Sequence, residues 1–293
     1  FRSDPKMKWL QLGERTLSMT EKVRMGVAAL SWVVWSCLTF SSAVVLTGCA
    51  SNMTGAGTKA DLVTDSDESD VRKRARLRLE LAVAYFEKGQ TTDALDHLKQ
   101  SILADPTLFE AYNLRGLIYM RLNDVPLAEE SFRRALAMNP KAASVQHNYG
   151  WLLCQQSRFS ESLQLFGAAL ANPAYGDRAK TWMAQGLCQI KSGQTMDAEN
   201  SFLRSYELDA GNPITAYNLS SLLYQRGEFV RAQFYVRRLN NSELANAESL
   251  WLGIKVERRM ENRDAMGQLG TQLKKRYPQS REYSAFERGA FNE

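Results

Sequence analysis

The residues that most often carry catalysis are sparse in this sequence. Its two histidines, His97 and His147, lie far apart in the chain, and neither belongs to a spacing typical of a nucleophile with its base and carboxylate. The sequence has no metal-ligand spacing, glycine-rich phosphate loop, Walker motif or Gly-x-Ser-x-Gly elbow. We therefore expect no catalytic residue, metal, cofactor or small-molecule substrate, and the sequence indicates a protein that is not an enzyme.

One cysteine stands in a sequence suited to covalent chemistry. A basic stretch with Lys22 and Arg24 precedes an apolar run that ends in Leu46-Thr47-Gly48-Cys49. Small residues let an extended backbone enter a peptidase, and a thiol at the new amino terminus can form a thioether to diacylglycerol. This stretch resembles a bacterial lipoprotein signal, with Cys49 as the lipid-attachment residue. The run is also long enough for a transmembrane helix, but the polar sequence directly after Cys49 favours the lipoprotein signal.

The resemblance also implies a location and a division of the N-terminal part. No aspartate follows Cys49, and in enterobacterial lipoproteins an adjacent aspartate retains the protein in the inner membrane. We therefore expect a lipid-anchored protein on the periplasmic face of the outer membrane of a Gram-negative bacterium. Residues 1–48 are the expected signal sequence, with an upstream extension before Met19 or Met25. Residues 49–72 are polar and rich in Ser, Thr, Gly and Asp, which predicts a lipidated flexible tether.

The remainder of the chain repeats about every 34 residues in three parallel series. A small residue begins a helical stretch, a break such as Lys88-Gly89-Gln90 follows, and a second helical stretch carries another small residue and a bulky one. The pattern predicts helical hairpins whose small residues mark the close approach of the two helices. The three series are Ala82, Gly116, Gly150, Gly186, Ser220 and Gly253; Ala94, Ala128, Ser162, Ala198, Ala232 and Ala265; and Leu98, Phe132, Phe166, Phe202, Val236 and Leu269.

The second hairpin carries the fullest signature. It reads Tyr112, Gly116, Tyr119, Ala128, Phe132, Ala135 and Pro140. This series resembles the tetratricopeptide repeat, a helical hairpin of about 34 residues. The resemblance implies an all-α, right-handed superhelical solenoid of about six hairpins over residues 73–278, followed by a C-terminal tail at 279–293.

In the tetratricopeptide family, four places of each first helix face a concave groove. Those places would be apolar here, and the groove would suit an amphipathic helix or an extended hydrophobic segment of a protein partner. The alternative is that some of these side chains pack as core, as a Leu or Met at helical spacing usually does. The expected groove residues are Leu79, Val83, Phe86, Asn113, Leu117, Met120, His147 and Trp151, continuing with Cys154, Met183, Leu187, Ile190, Tyr217 and Tyr224.

Charge and cysteine content restrict the partners and the redox state. Residues before Cys49 carry +3 of the net charge of +5, so the rest is close to neutral and a nucleic-acid partner is not indicated. Cys154 and Cys188 differ by two positions in register, which turns them about 200° apart on equivalent helices. We therefore expect two buried free thiols rather than a disulfide.

A lipoprotein signal joined to six such repeats resembles the type IV pilus biogenesis and stability lipoproteins of the PilF/PilW type, the pilotins. Further similarity lies in Tyr112 to Gly116, Asn148 to Trp151, and Arg276 to Tyr283. The resemblance implies a partner, the outer-membrane secretin of the pilus system, whose localisation or assembly the protein would assist. Alternatives are an outer-membrane lipoprotein scaffold for barrel assembly or peptidoglycan enzymes, a stabiliser of assembled pili, and a cell-wall hydrolase, for which the sequence offers no catalytic cluster.

Overall fold

The computed structural model describes residues 68–292, and these form thirteen α-helices and no strand. Twelve helices pair in chain order as six hairpins, which confirms the predicted all-α solenoid. We call the first and second member of each hairpin the first helix and the second helix. The first helices are α1 (Asp70–Glu87), α3 (Phe109–Arg121), α5 (Ala143–Gln155), α7 (Arg178–Lys191), α9 (Pro213–Gln225) and α11 (Ala247–Arg259). The second helices are α2 (Thr91–Ala104), α4 (Val125–Met138), α6 (Phe159–Leu170), α8 (Thr195–Leu208), α10 (Phe229–Asn240) and α12 (Arg263–Arg276).

Helix α1 begins slightly before the expected start of the repeats, inside the sequence expected to be tether. The side chain of Ser69 accepts a hydrogen bond from the backbone N–H of Arg72 and caps the helix. Glu68 forms ion pairs with Arg72 and Arg76 on the first two turns of α1. Cap and ion pairs together hold the start of α1 at Asp70.

The turn inside each hairpin contains one residue in the left-handed region. Glycine takes this place in the first, fourth and fifth hairpins as Gly89, Gly193 and Gly227. In the other three hairpins the residue carries a side chain, namely Asn123, Ser157 and Glu261, with φ between 57° and 60°. These turns recur at nearly the repeat period and reverse the chain between a first and a second helix.

The three residue series meet where the two helices of a hairpin cross, as predicted. Phe132, Phe166 and Phe202 are fully buried. A Cβ atom placed on Gly150 would lie 3.0 Å from Phe166, and one placed on Gly186 would lie 2.9 Å from Phe202. Glycine in the first helix therefore leaves the space that the aromatic ring of the second helix fills.

Two irregularities lie between and after the hairpins. The residue series advance by 36 residues from the third hairpin to the fourth instead of 34. The two extra residues belong to the connection from α6 to α7, which runs over residues 171–177 and contains Pro173, so the hairpins on either side keep their geometry. Residues 279–293, expected only to be a tail, include a short helix α13 (Arg281–Glu287) that packs on α11 and α12. Its Phe286 lies against Gly270, and Tyr283 is buried. Helix α13 covers the end of the last hairpin.

Candidate partner-binding groove

The first helices of successive hairpins lie side by side. Direct contacts join α1 to α3, α3 to α5, α5 to α7, and α9 to α11. The groove residues expected from the sequence all lie on these helices, so their surroundings depend on the contacts between neighbouring hairpins. We call this surface the first-helix groove.

Polar contacts link neighbouring first helices at the centre of the array. Asn148 on α5 donates a hydrogen bond of 3.0 Å from its side-chain amide to the side-chain oxygen of Asn113 on α3. A ring nitrogen of His147 on α5 and the hydroxyl of Thr181 on α7 are 2.8 Å apart. Each pair joins residues about one repeat apart, so these side chains fix the relative position of three successive hairpins.

A disulfide bond joins Cys154 on α5 to Cys188 on α7, and the expectation of two free thiols is wrong. Cys154 lies four residues after Gly150 and Cys188 two residues after Gly186, so the two side chains are about 200° apart around equivalent helices, which is about 160° by the shorter way round. Two side chains on adjacent parallel helices meet only when they point in opposite directions. We expected no bond because the two cysteines differ in register. A bond between neighbouring hairpins requires that difference, because it turns the two side chains towards each other.

His147 is a packing residue in this structure. Its ring is buried, lies 5.9 Å from the ring of Phe166, and contacts Thr181. Burial, with a smaller contribution from the charge of Lys180, lowers the pKa of His147 to about 3. The imidazole is therefore neutral across the physiological range. His97, on α2, stacks on Tyr85 with ring centroids 5.1 Å apart.

The other expected groove residues divide by exposure. Val83 is 36% exposed, whereas Phe86 is buried. Leu79, Asn113, Leu117, Met120 and Trp151 are half-buried. In the second half of the array, Met183 is buried and Leu187, Ile190, Tyr217 and Tyr224 are half-buried. The half-buried apolar side chains pack against the core and keep part of their surface accessible. Partner binding at these residues stays a prediction.

Cations lie over aromatic rings along the first-helix groove, a feature that the sequence did not predict. The Arg121 guanidinium is 3.7 Å from the ring centroid of Phe86, and one of its terminal nitrogens donates to the Phe86 carbonyl. The ammonium of Lys191 is 5.6 Å from the ring of Trp151. These cation–π contacts join neighbouring first helices. The cation follows the aromatic residue by 35 positions in one pair and by 40 in the other, so the sequence spacing alone does not reveal these contacts.

One expected site residue lies outside the part of the chain that the structure describes. Cys49 lies outside residues 68–292, so its lipid attachment stays a prediction. Within the described part of the chain, no helix has both the length and the apolar character needed to cross a bilayer. Among the same residues, no group of His, Cys, Asp and Glu side chains is arranged to hold a metal ion.

Comparison with known proteins agrees with this architecture. The family model described as tetratricopeptide repeat matches residues 79–143 and 113–179. The type IV pilus assembly protein PilF of Pseudomonas aeruginosa is 31% identical over 254 residues, covering 87% of this chain and 98% of PilF. A solved structure of Pseudomonas aeruginosa PilF superposes with a TM-score of 0.70 at 29% identity, covering 75% of this chain and 100% of that one. The crystal structure of PilW, described as a widely conserved type IV pilus biogenesis factor, gives a TM-score of 0.66 at 28% identity, covering 75% and 99%. The chain belongs to the PilF family of tetratricopeptide repeat proteins.

Proposed function

We propose that this protein is an adaptor in type IV pilus biogenesis that is anchored in the outer membrane and binds a protein partner through its first-helix groove. The observation that carries the proposal is the relationship to PilF, which extends over 98% of a protein named for pilus assembly. The partner is the outer-membrane secretin of the pilus system, whose localisation or assembly the adaptor assists. The role requires binding and no bond-making chemistry.

The anchor and the groove act together in this proposal. Acyl chains on Cys49 supply membrane affinity of about 0.8 kcal/mol for each buried CH₂ group. The sequence from Cys49 to the start of α1 would tether the hairpins close to the bilayer, on its periplasmic face. Tethering raises the local concentration of a membrane-bound partner, so a groove of micromolar affinity is sufficient to direct it.

The groove supports the binding role through its accessible apolar side chains. Val83, Leu117, Met120 and Trp151 each keep exposed surface on the first helices. Apolar and aromatic side chains of this kind anchor helical or extended peptide segments. Phe86 and His147 lie beneath the surface and support it.

The first experiment compares two identical substitutions in strains that lack the wild-type gene. Val83→Ser removes exposed apolar surface from the groove, and Val230→Ser removes it from the second helix α10, where Val230 is 71% exposed. We expect Val83→Ser to lower the level of secretin multimers and twitching motility, and Val230→Ser to leave both unchanged. Equal effects of the two variants, or normal multimers in the deletion strain, would contradict the proposal.

The second experiment tests the anchor. Cys49→Ala should give a folded protein that binds the partner but is absent from the outer-membrane fraction, with secretin multimers reduced or misplaced. Recovery of this variant in the outer membrane would rule out the lipid anchor. Co-purification of a barrel-assembly or peptidoglycan protein in place of the secretin would favour a different adaptor role.

A further inference from the structure

The first helices at the centre of the array are nearly free of negative charge. Helices α3, α5, α7 and α9 contain a single carboxylate, Glu110, in the first turn of α3. The second helices of the same four hairpins contain six, namely Glu129, Glu130, Glu161, Asp197, Glu199 and Glu207. Within these four hairpins the acidic residues are thus concentrated on the second helices. The first helices at the two ends of the array, α1 and α11, carry five carboxylates, namely Asp70, Glu80, Glu87, Glu248 and Glu257.

Three cations contact aromatic residues of the first-helix groove. Arg121 and Lys191 lie over Phe86 and Trp151, as described above. Lys255 on α11 extends the row, with its ammonium 5.9 Å from the ring of Tyr224 on α9 and 5.6 Å from that of Trp251. Each of the three cations contacts an aromatic ring of the first helix before its own.

Within residues 68–292, Arg121, Lys191 and Lys255 form no ion pair. The arginines of the second helices and turns behave differently, since Arg226 and Arg231 both pair with Glu199. Burial lowers the pKa of Lys255, which shows that its charge has lost water without gaining a carboxylate. A partly desolvated cation beside apolar surface gains free energy when an anionic group binds to it.

The helix dipole explains part of this arrangement. Cations near the C-terminal end of a helix are stabilised by its dipole, and Arg121 and Lys191 lie in the last turns of α3 and α7. Lys255 lies before the last turn of α11, so the dipole does not account for its position. Nor does it account for the scarcity of carboxylates on the neighbouring first helices.

We propose that the partner segment in the first-helix groove carries carboxylates among its apolar side chains, and that Arg121, Lys191 and Lys255 bind those carboxylates. The inference rests on the proposed function, in which the groove binds a polypeptide. It adds the chemistry of the bound segment, which is apolar and acidic, and a row of contacts that sets its orientation. Charge complementarity carries the inference, since three cations without an ion pair lie on or beside the central first helices, which contain a single carboxylate.

The test uses the full chain in a non-ionic detergent and three fluorescein-labelled synthetic peptides. The peptides share the same leucine positions and differ only in having Glu, Gln or Lys at the intervening polar positions. Protein variants are the triple substitution Arg121→Gln, Lys191→Gln and Lys255→Gln, and a control. The control substitutes Lys99, Lys274 and Lys275 with Gln, which are exposed cations on the second helices α2 and α12. Fluorescence anisotropy measures each Kd at low and high salt.

We expect the wild-type chain to bind the Glu peptide about tenfold more tightly than the Gln peptide, since three exposed charge pairs contribute about twofold each or slightly more. The preference should shrink at high salt, persist in the control, and fall towards one in the groove triple variant. Both triple variants should remain folded at the assay temperature. The thermal midpoint of the groove triple variant should be the lower of the two, because it also loses the hydrogen bond from Arg121 to the Phe86 carbonyl.

Each other outcome has a distinct meaning. Equal binding of the Glu and Gln peptides, or equal losses in both triple variants, would overturn the inference and leave groove binding intact. Failure of all three peptides to bind would overturn both the inference and the groove. Binding to vesicles that contain phosphatidylglycerol, abolished by the groove triple variant in the absence of any peptide preference, would overturn it in favour of a membrane surface.

Discussion

A methyl group added where the two helices of a hairpin come closest should change the free energy of unfolding by an amount that depends on the space available there. A Cβ atom on Gly116 would lie 2.6 Å from Cζ and 2.7 Å from Cδ1 of Phe132, whereas the nearest ring atom to a Cβ atom on Gly150 would be 3.0 Å away in Phe166. Glycine to alanine in a helix stabilises by about 1 kcal/mol through propensity. Overpacking costs about 1–3 kcal/mol when a buried group must move.

The gain in helix propensity and the cost of overpacking should balance differently at Gly116 and at Gly150. Phe132 is fully buried and stacks with Tyr149 at 5.9 Å between centroids, so its ring has little room to move. We expect Gly116→Ala to lower the free energy of unfolding by about 2 kcal/mol. At Gly150 a shift of a few tenths of an ångström suffices, and the two effects should cancel to within about 0.5 kcal/mol.

Urea unfolding followed by far-ultraviolet circular dichroism measures both variants against the wild type. The double variant Gly116→Ala with Phe132→Leu completes a thermodynamic cycle. We expect a coupling energy of about 1 kcal/mol or more in favour of the double variant, because the smaller side chain leaves space for the new methyl group. A Gly116→Ala protein as stable as the wild type, or a cycle without coupling, would refute the crossing geometry.

Three further predictions concern single features of the array. The pKa of His147 is about 3 in the folded protein and about 6.5 in the unfolded chain, so stability is complete above pH 6.5 and is lost as pH falls towards 3. At pH 5 the loss should reach about 2 kcal/mol, and urea unfolding of His147→Gln should show a flatter pH dependence. The bond between Cys154 and Cys188 closes a loop with a sequence separation of 34, and replacing both with Ala should cost about 3–4 kcal/mol and remove the effect of dithiothreitol on urea unfolding. Glu261→Gly should raise the thermal midpoint by relieving a left-handed conformation worth about 1 kcal/mol, whereas Asn123→Gly should change it little, since asparagine tolerates that conformation.

The hairpins are predictable from sequence because two helices can cross closely only with a small residue on one helix and a bulky residue on the other. Gly116, Gly150 and Gly186 recur because a Cβ atom there would meet a buried ring, and the phenylalanines recur because that space must be filled. The turns are less regular, because several residue types can adopt the left-handed conformation. Helix α13 escaped prediction since it is too short to show a period and owes its position to contacts with α11 and α12.

Register predicts which residues belong to the groove, yet register does not determine whether a side chain is exposed. Phe86 and Met120 hold the same place in successive hairpins, but Phe86 is buried beneath Arg121 whereas Met120 is half-buried. Their exposure depends on which residue the next hairpin supplies. The repeat pattern in the sequence gives the position of each side chain on its own helix. It does not show which residue of the next hairpin contacts that side chain.

Because the contacting residue in the next hairpin differs from repeat to repeat, the contacts between hairpins vary although the hairpins themselves are alike. The place of Met120 near the end of each first helix recurs as Cys154 in the third hairpin and as Tyr224 in the fifth. Met120 packs against an apolar cluster that includes residues of α5, Cys154 forms a disulfide with Cys188 on α7, and Tyr224 forms a cation–π contact with Lys255 on α11. Packing within each hairpin follows one rule, a small residue on the first helix against a bulky residue on the second. Contacts between hairpins take several forms, and this freedom allows the surface of the groove to acquire charge without loss of the fold.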